Sequence, residues 1–330
     1  MRRRRATIGY ASVLQPHDHV AWFGDEAGEL YSVASTALAD GARRGEKLMF
    51  VAEEPDPALL SGIDEVDRML ATGQLELFAV DAVYGNGNAF SASAQLATFE
   101  RVLTDALADG YSGIRVVADN TPLVRGDDES FRRWSAWEQL TDRFQAASAV
   151  TGVCFFDHAA LSDERKADLA ALHPVRSASA VESPFSLVSD GDAVSVTGVL
   201  DASSVDRFRR ILGTLPVDRP LVVDVSGAKF MERDALLVLA ESASADRPLR
   251  VRGDGHLRDL VSLVGGATPE LQFERENGAP ACARCGDVIG VYESAAIVLD
   301  GLCFVTSRAT EPDAVAKAPE RYHRDCYASR

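Results

Sequence analysis

Between His19 and Leu172 the chain alternates short apolar runs with longer amphipathic stretches, and no other feature restricts its fold as much. Residues 19–23, 47–52, 75–80, 114–119 and 150–156 read as buried strands, being short, apolar and rich in β-branched or aromatic side chains. Residues 29–44, 57–71, 91–108, 130–147 and 164–172 carry apolar positions at helical spacing. Gly45, Gly73 and Gly110 stand just past three of these helices, where a left-handed cap is expected. A β-α-β-α order of this kind predicts an α/β fold with a mostly parallel sheet covered on both faces. Ligands then bind at the C-terminal ends of the strands.

The strand ends exclude one function class. The first strand runs into Gly24-Asp25-Glu26-Ala27-Gly28-Glu29, where a phosphate-binding loop would need glycines and a lysine followed by a hydroxyl residue. Three carboxylates there would repel a nucleoside triphosphate. Gly85-Asn86-Gly87-Asn88 lacks a dinucleotide fingerprint and reads as a plain loop. The net charge of −16 argues against direct nucleic-acid binding. No segment approaches the roughly 18 apolar residues of a membrane span, so a cytoplasmic location is expected. The basic run Met1–Arg5 opens a segment, residues 1–14, expected to be a solvated tail.

Five separated motifs carry a resemblance: His17-Asp18-His19-Val20-Ala21-Trp22-Phe23, Gly113-Ile114-Arg115-Val116-Val117-Ala118-Asp119, Trp137-Glu138, Thr151-Gly152-Val153-Cys154-Phe155-Phe156-Asp157 and Leu172-His173-Pro174. In this order, over residues 15–176, they resemble the MEDS sensory family. That resemblance implies a RecA- or KaiC-like sheet without its phosphate loop, a small organic ligand, and His19, Asp119, Glu138, Cys154 and Asp157 as ligand-binding residues. Taken alone, each side chain has a plainer role as well. Cys154 lies mid-strand as a small hydrophobe would, His19 opens a strand, and Asp119 precedes a turn. Glu138, among Trp134, Trp137 and Phe144, has the setting for a shifted pKa. His158 and His173 are within reach of a cluster with Cys154, but not at the spacing of a recognised metal site.

Residues 177–184 are small, polar and end in proline, as a linker would be. Farther on, Leu221-Val222-Val223 reads as a strand that Asp224-Val225-Ser226-Gly227 interrupts with turn residues, before an apolar helix with Glu232 and Asp234 at its acidic start. With the passage Gly198–Ser204, this pattern over residues 185–277 resembles the STAS domain of anti-sigma-factor antagonists. The family's phosphoacceptor place is held here by Asp234, a permanent charge instead of a phosphorylatable hydroxyl. The resemblance implies a protein partner, an anti-sigma factor or histidine-kinase-like regulator, met through Ser226, Glu232, Arg233 and Asp234.

Four of the five cysteines fall after residue 281. Cys282-Ala283-Arg284-Cys285-Gly286 and His323-Arg324-Asp325-Cys326 form a C-x2-C…H-x2-C set, the donor types and pairing of a structural zinc site, resembling part of a treble-clef or LIM-type finger over residues 278–330. Docking, homodimerisation and redox sensing are roles open to such a module. Cys303 lies on an apolar strand and is left outside the shell. The reading is a non-enzymatic bacterial signalling regulator. Its rival is an enzyme or nucleotide-binding relic acting on a metabolite in the first domain, with Glu138 or Asp119 as base and Cys154 as nucleophile.

Overall fold

The structure, a computed structural model, describes residues 4–25, 27–85, 90–215, 221–253, 257–266, 268–275, 280–286, 289–290, 293–299 and 301–328. Met1–Arg3, Glu26 of the acidic turn and Asn86–Asn88 of the glycine-containing loop lie outside them. The chain divides into two compact units, residues 1–192 with 210–216, and residues 193–209 with 217–330. Among the described residues no helix is long and apolar enough to cross a membrane.

The first unit is built on β1 (Ala6–Ile8), β2 (His19–Gly24), α1 (Ala27–Arg43), β3 (Lys47–Ala52), α2 (Val66–Thr72), β4 (Leu75–Ala79), α3 (Val80–Tyr84), α4 (Ala92–Ala108), β5 (Ile114–Asp119), α5 (Thr121–Val124), α6 (Asp128–Ala147), β6 (Val150–Asp157), α7 (Asp163–Leu172), β7 (Val175–Ser177) and β8 (Phe185–Asp190). Seven strands form one sheet in the order β1-β7-β2-β6-β5-β3-β4, and every pairing in it is parallel. Two apolar clusters cover its faces, one around Trp134, Trp137 and Phe99, the other around Trp22, Leu38 and Phe50. That accounts for the nearly continuous apolar strands. Gly45, Gly73 and Gly110 all have positive φ, as the cap reading requires.

Three expectations are corrected. The basic tail is not a tail from Arg4 onward: Ala6–Ile8 pairs with Val175–Ser177 as an edge strand, and Arg4 forms a 2.7 Å ion pair with buried Asp18. The linker begins inside the fold, because Ser177 belongs to β7 and the Ala178 amide donates to the Ile8 carbonyl at 2.8 Å. The helix expected over residues 57–71 is a short 3-10 turn followed by α2. Gly62 in the gap leaves no room for a Cβ against Ser35, and Glu65 takes a left-handed conformation with φ of 60°, so a continuous helix is ruled out there.

Arg115, fully buried on β5, ties the sheet to α1. Its guanidinium donates to Glu46 Oε2 at 2.6 Å, Asp40 Oδ2 at 2.9 Å and the Ala37 carbonyl at 3.0 Å. Gly41 makes the approach possible, since a Cβ there would strike Leu48 and the Arg115 stem.

The second unit holds β9 (Ala193–Leu200), part of α8 (Val205–Gly213), β10 (Leu221–Met231), α9 (Arg233–Glu241), β11 (Leu249–Gly253), α10 (Leu257–Leu263) and β12 (Leu271–Arg275). Within it β10 runs parallel to both β9 and β11, and β11 to β12. Asp224–Gly227 does not interrupt the strand as expected; β10 continues to Met231 with register shifts either side of Gly227. Gly227 serves close approach rather than a turn, because a Cβ there would collide with Thr197 on β9. After these come β13 (Ala295–Leu299), β14 (Leu302–Thr306), α11 (Pro312–Lys317), β15 (Glu320–His323) and α12 (Arg324–Ala328), with the three strands antiparallel in the order β14-β13-β15.

Arg115→Ala leaves the buried Glu46 without its cation, while Asp40 keeps Arg43 and Arg44, and is expected to destabilise the first unit by about 3–5 kcal/mol, read as a drop in its urea midpoint. A midpoint unchanged from the parent would contradict this role.

Candidate functional site

Four elements of the first unit deliver one buried cluster. His19 starts β2, Glu138 lies midway along α6, Cys154 lies on β6 directly beside β2, and His173 follows α7. All four are buried, His19 and Glu138 completely so. Glu138 Oε2 is 3.2 Å from His19 Nε2 and 3.4 Å from His173 Nε2, while Cys154 Sγ is 3.5 Å from His19 Nε2 and 3.9 Å from Glu138 Oε2. The other oxygen, Oε1, accepts the Trp134 indole N–H at 2.6 Å.

Each imidazole is held from behind. His19 Nδ1 meets Asp142 Oδ1 at 3.0 Å, and His173 Nδ1 meets the Leu169 carbonyl at 2.7 Å. With Nδ1–H donating outward, both Nε2 atoms face the cluster. Asp142 also accepts the Ser189 amide of β8 on Oδ2 at 2.6 Å. A continuous set of hydrogen bonds and close polar contacts thus runs Trp134–Glu138–His19–Asp142–Ser189.

Charge in this dry setting is held by mutual pairing. Burial alone would raise the Glu138 pKa, but His173 and His19 outweigh it and bring it down to about 2. Burial likewise depresses the His19 imidazole, yet the charge of Cys154 and the hydrogen bonds from Asp142, Cys154 and Glu138 lift it well above the ordinary 6.5. His173 is also raised: burial and His19 push it down, and Glu138 and Cys154 prevail.

Of the five expected ligand residues, the structure brings His19, Glu138 and Cys154 together and leaves Asp119 and Asp157 at the C-terminal strand ends. There Asp119 Oδ1 accepts the Thr121 amide at 3.0 Å, Asp157 Oδ1 accepts the Ala159 amide at 2.8 Å, and the Asp157 amide donates to Thr121 Oγ1 at 2.8 Å. Both aspartates shape turns; burial raises the Asp119 carboxyl. His173 joins the cluster, whereas His158 faces Lys166 Nζ at 3.3 Å.

A cavity of about 400 Å³ opens beside the C-terminal ends of β3 and β4, lined among others by Val80, Tyr84, Phe90, Leu123, Arg133 and Trp134. Tyr84 meets Trp134 edge-to-face and Phe90 packs tilted against it, with ring centroids 5.2 and 5.7 Å away. Trp134 thus lines the cavity while its N–H holds Glu138. In the acidic turn, Glu29 Oε2 accepts the Asp25 amide at 3.2 Å and Oε1 accepts the Trp22 indole at 2.9 Å. The chain's own carboxylate takes a backbone N–H that a phosphate would otherwise claim.

In the second unit, Cys282, Cys285, His323 and Cys326 place their ligand atoms within 4.8 Å of one another, an arrangement that can hold a metal ion. His323 Nδ1 lies 3.3 Å from Cys285 Sγ and 3.9 Å from Cys326 Sγ. Burial raises the Cys282 thiol, but the amides of Cys285, Arg284 and His323 overcome it and bring it to about 6. Burial and the thiols of Cys285 and Cys282 push Cys326 up to about 11. Gly286 turns the knuckle with φ of 78°. Cys303 sits exposed on β14, apart from the set. The expected partner residues Glu232, Arg233 and Asp234 open α9, Asp234 in its first turn. Ser226 lies back along β10, so the extended strand separates it from them.

The pH dependence follows from the cluster. Raised imidazole pKa values stabilise the fold fully below the ordinary 6.5 and cease to do so as pH rises through the folded values. The depressed Glu138 stabilises it above the ordinary 4.5 and ceases to as pH falls toward about 2. With a chelator present, the urea midpoint of the first unit is therefore expected to peak between about pH 4.5 and 6.5 and to fall on both sides. A midpoint still rising through mildly alkaline pH would contradict the pairing.

No curated protein matches the chain. Residues 18–174 match the model of the family described as MEDS, MEthanogen/methylotroph, DcmR Sensory domain. That span contains the sheet strands β2 to β6, all four members of the buried cluster and the cavity. Residues 18–174, just under half of the chain, are a MEDS sensory domain, which suggests a signalling or sensory role.

Proposed function

We propose that the cavity beside Trp134 receives a small, largely apolar organic molecule and that its occupancy is felt at β8 through Glu138, His19 and Asp142. The observation that carries this reading is the double engagement of Trp134, whose ring lines the cavity and whose N–H holds the buried carboxylate at 2.6 Å. Val80, Tyr84, Phe90 and Leu123 supply apolar contact, and Glu53, Asp81, Ser130 and Arg133 supply polar groups that orient the molecule. A ligand that shifts the indole must strain or re-aim the Glu138 bond. In a close-packed interior such a change moves between discrete arrangements instead of fading with distance. Ser189, at the far end, lies four residues before Ala193, where the second unit begins.

The second unit then relays by binding a protein, as the STAS-like pattern suggests, with Glu232, Arg233 and Asp234 on the docking surface. Asp234 has its side chain 57% exposed and sits in the first turn of α9, where a fixed negative charge is favoured by the helix dipole. Cys282, Cys285, His323 and Cys326 hold a structural zinc ion: three thiols and an imidazole are its preferred donors, and metal binding supplies stability that a small core lacks. A cytoplasmic bacterial regulator of the anti-sigma-factor-antagonist type fits these features. The enzyme reading is disfavoured because Cys154 and Glu138 are engaged with each other and with His19, away from the cavity surface.

Native mass spectrometry of the purified chain is expected to show an organic adduct, lost in Leu123→Trp, which fills the cavity, and retained in Trp134→Phe, which keeps the wall. No adduct in the parent, and no thermal shift across a panel of small alcohols, amines and halocarbons, would contradict the cavity's role. Asp234→Lys is expected to weaken capture of the regulator partner about tenfold while leaving the thermal transition in place; undiminished capture would remove Asp234 from the interface.

A further inference from the structure

We propose that His19, Glu138, Cys154 and His173 together bind a divalent first-row transition-metal ion of the zinc class in the core of the sensory domain. The argument begins with orientation. Both Nδ1 atoms are engaged from outside, by Asp142 and by the Leu169 carbonyl, which is the outer-shell arrangement that fixes a metal-binding histidine with Nε2 free. Trp134 occupies Glu138 Oε1 and leaves Oε2 facing inward. His173 Nε2 is buried and faces that oxygen from 3.4 Å, a close polar contact outside hydrogen-bond geometry. Three of the four donors are thus aimed by neighbours whose own contacts are made elsewhere.

The spacings agree. A tetrahedral ion with bonds near 2.0–2.3 Å places its ligand atoms about 3.3–3.8 Å apart. Four of the six separations are 3.2, 3.4, 3.5 and 3.9 Å, and all six lie within 4.8 Å. Charge agrees as well. One thiolate and one carboxylate balance a divalent cation, so two neutral imidazoles complete a site of zero net charge, the form a dry interior accepts most readily. Without a cation, two inward-facing imidazole nitrogens beside a carboxylate require buried protons in its place. The mixed nitrogen, sulfur and oxygen set suits zinc, cobalt(II) or iron(II) over magnesium or calcium. Four protein ligands close the coordination sphere, so the ion braces β2, α6 and β6 and performs no chemistry on a substrate.

The test uses the full chain carrying Cys282→Ser and Cys285→Ser, which disables the C-terminal set. After purification and dialysis against buffer with zinc, elemental analysis is expected to find about one ion per chain. Cobalt exchange should give a visible tetrahedral spectrum with a single thiolate-to-metal band. Cys154→Ser in this background should abolish the thiolate band, and His173→Ala should lower retained metal about tenfold, with circular dichroism reporting on folding. Folded parent protein that retains no ion would overturn the proposal without needing any variant at the cluster. So would an ion whose amount and spectrum both variants leave unchanged. The readout is independent of cavity occupancy: one ion beneath an empty cavity upholds this site even where the sensing reading fails.

Discussion

The first unit depends on a carboxylate that has no contact with water. Glu138 is completely buried, and an ionised side chain there is tolerated only because Trp134, His19 and His173 surround it. Those partners come from α6 itself, the opening of β2 and the end of α7, so satisfying one charge fixes three elements of the fold. Asp142, one helical turn beyond Glu138, repeats the device: it orients His19 and accepts the Ser189 amide. Helix α6 therefore lays two acids along the sheet, the first tied to the cavity wall and the second to β8.

Much of the fold was legible because its signal is local. Strands Lys47–Ala52 and Ile114–Asp119 begin and end where the apolar runs do, and a buried parallel strand has little freedom to do otherwise. Composition failed where tertiary contact overrode it. Asp224–Gly227 has the residues of a turn, yet β10 passes through them because β9 and β11 flank it and glycine permits the close approach at Thr197. Ala6–Ile8 is three residues long, too short for a periodic signal, and becomes a strand only through its pairing with β7.

The site was legible in kind more than in membership. Residue type picked out His19, Glu138 and Cys154, but nothing in positions 19, 138, 154 and 173 spells a ligand set, since the four come from separate elements. His173 entered the sequence reading in a motif and as a candidate neighbour of Cys154, and the sheet order β7-β2-β6 was needed to place it with His19 and Cys154. Asp119 and Asp157 share the residue type and the strand-end position, and their carboxylates instead hold the Thr121 and Ala159 amides. The C-terminal set was the opposite case: its two close pairs lie within single turns, so spacing alone identified all four members.

Sensing and relay meet in one claim, that the cavity wall and β8 are mechanically joined through Glu138, His19 and Asp142. The most direct measurement is the backbone amide resonance of Ser189 in the folded protein, compared between the parent and Trp134→Phe. That substitution removes the N–H at the cavity end of the connection and keeps an aromatic ring, a smaller one, in the wall. The account predicts a clear change in the Ser189 shift while amides of equal distance on β3 and β4 stay in place. A Ser189 resonance that does not move, with changes confined to the immediate neighbours of Trp134, would contradict it.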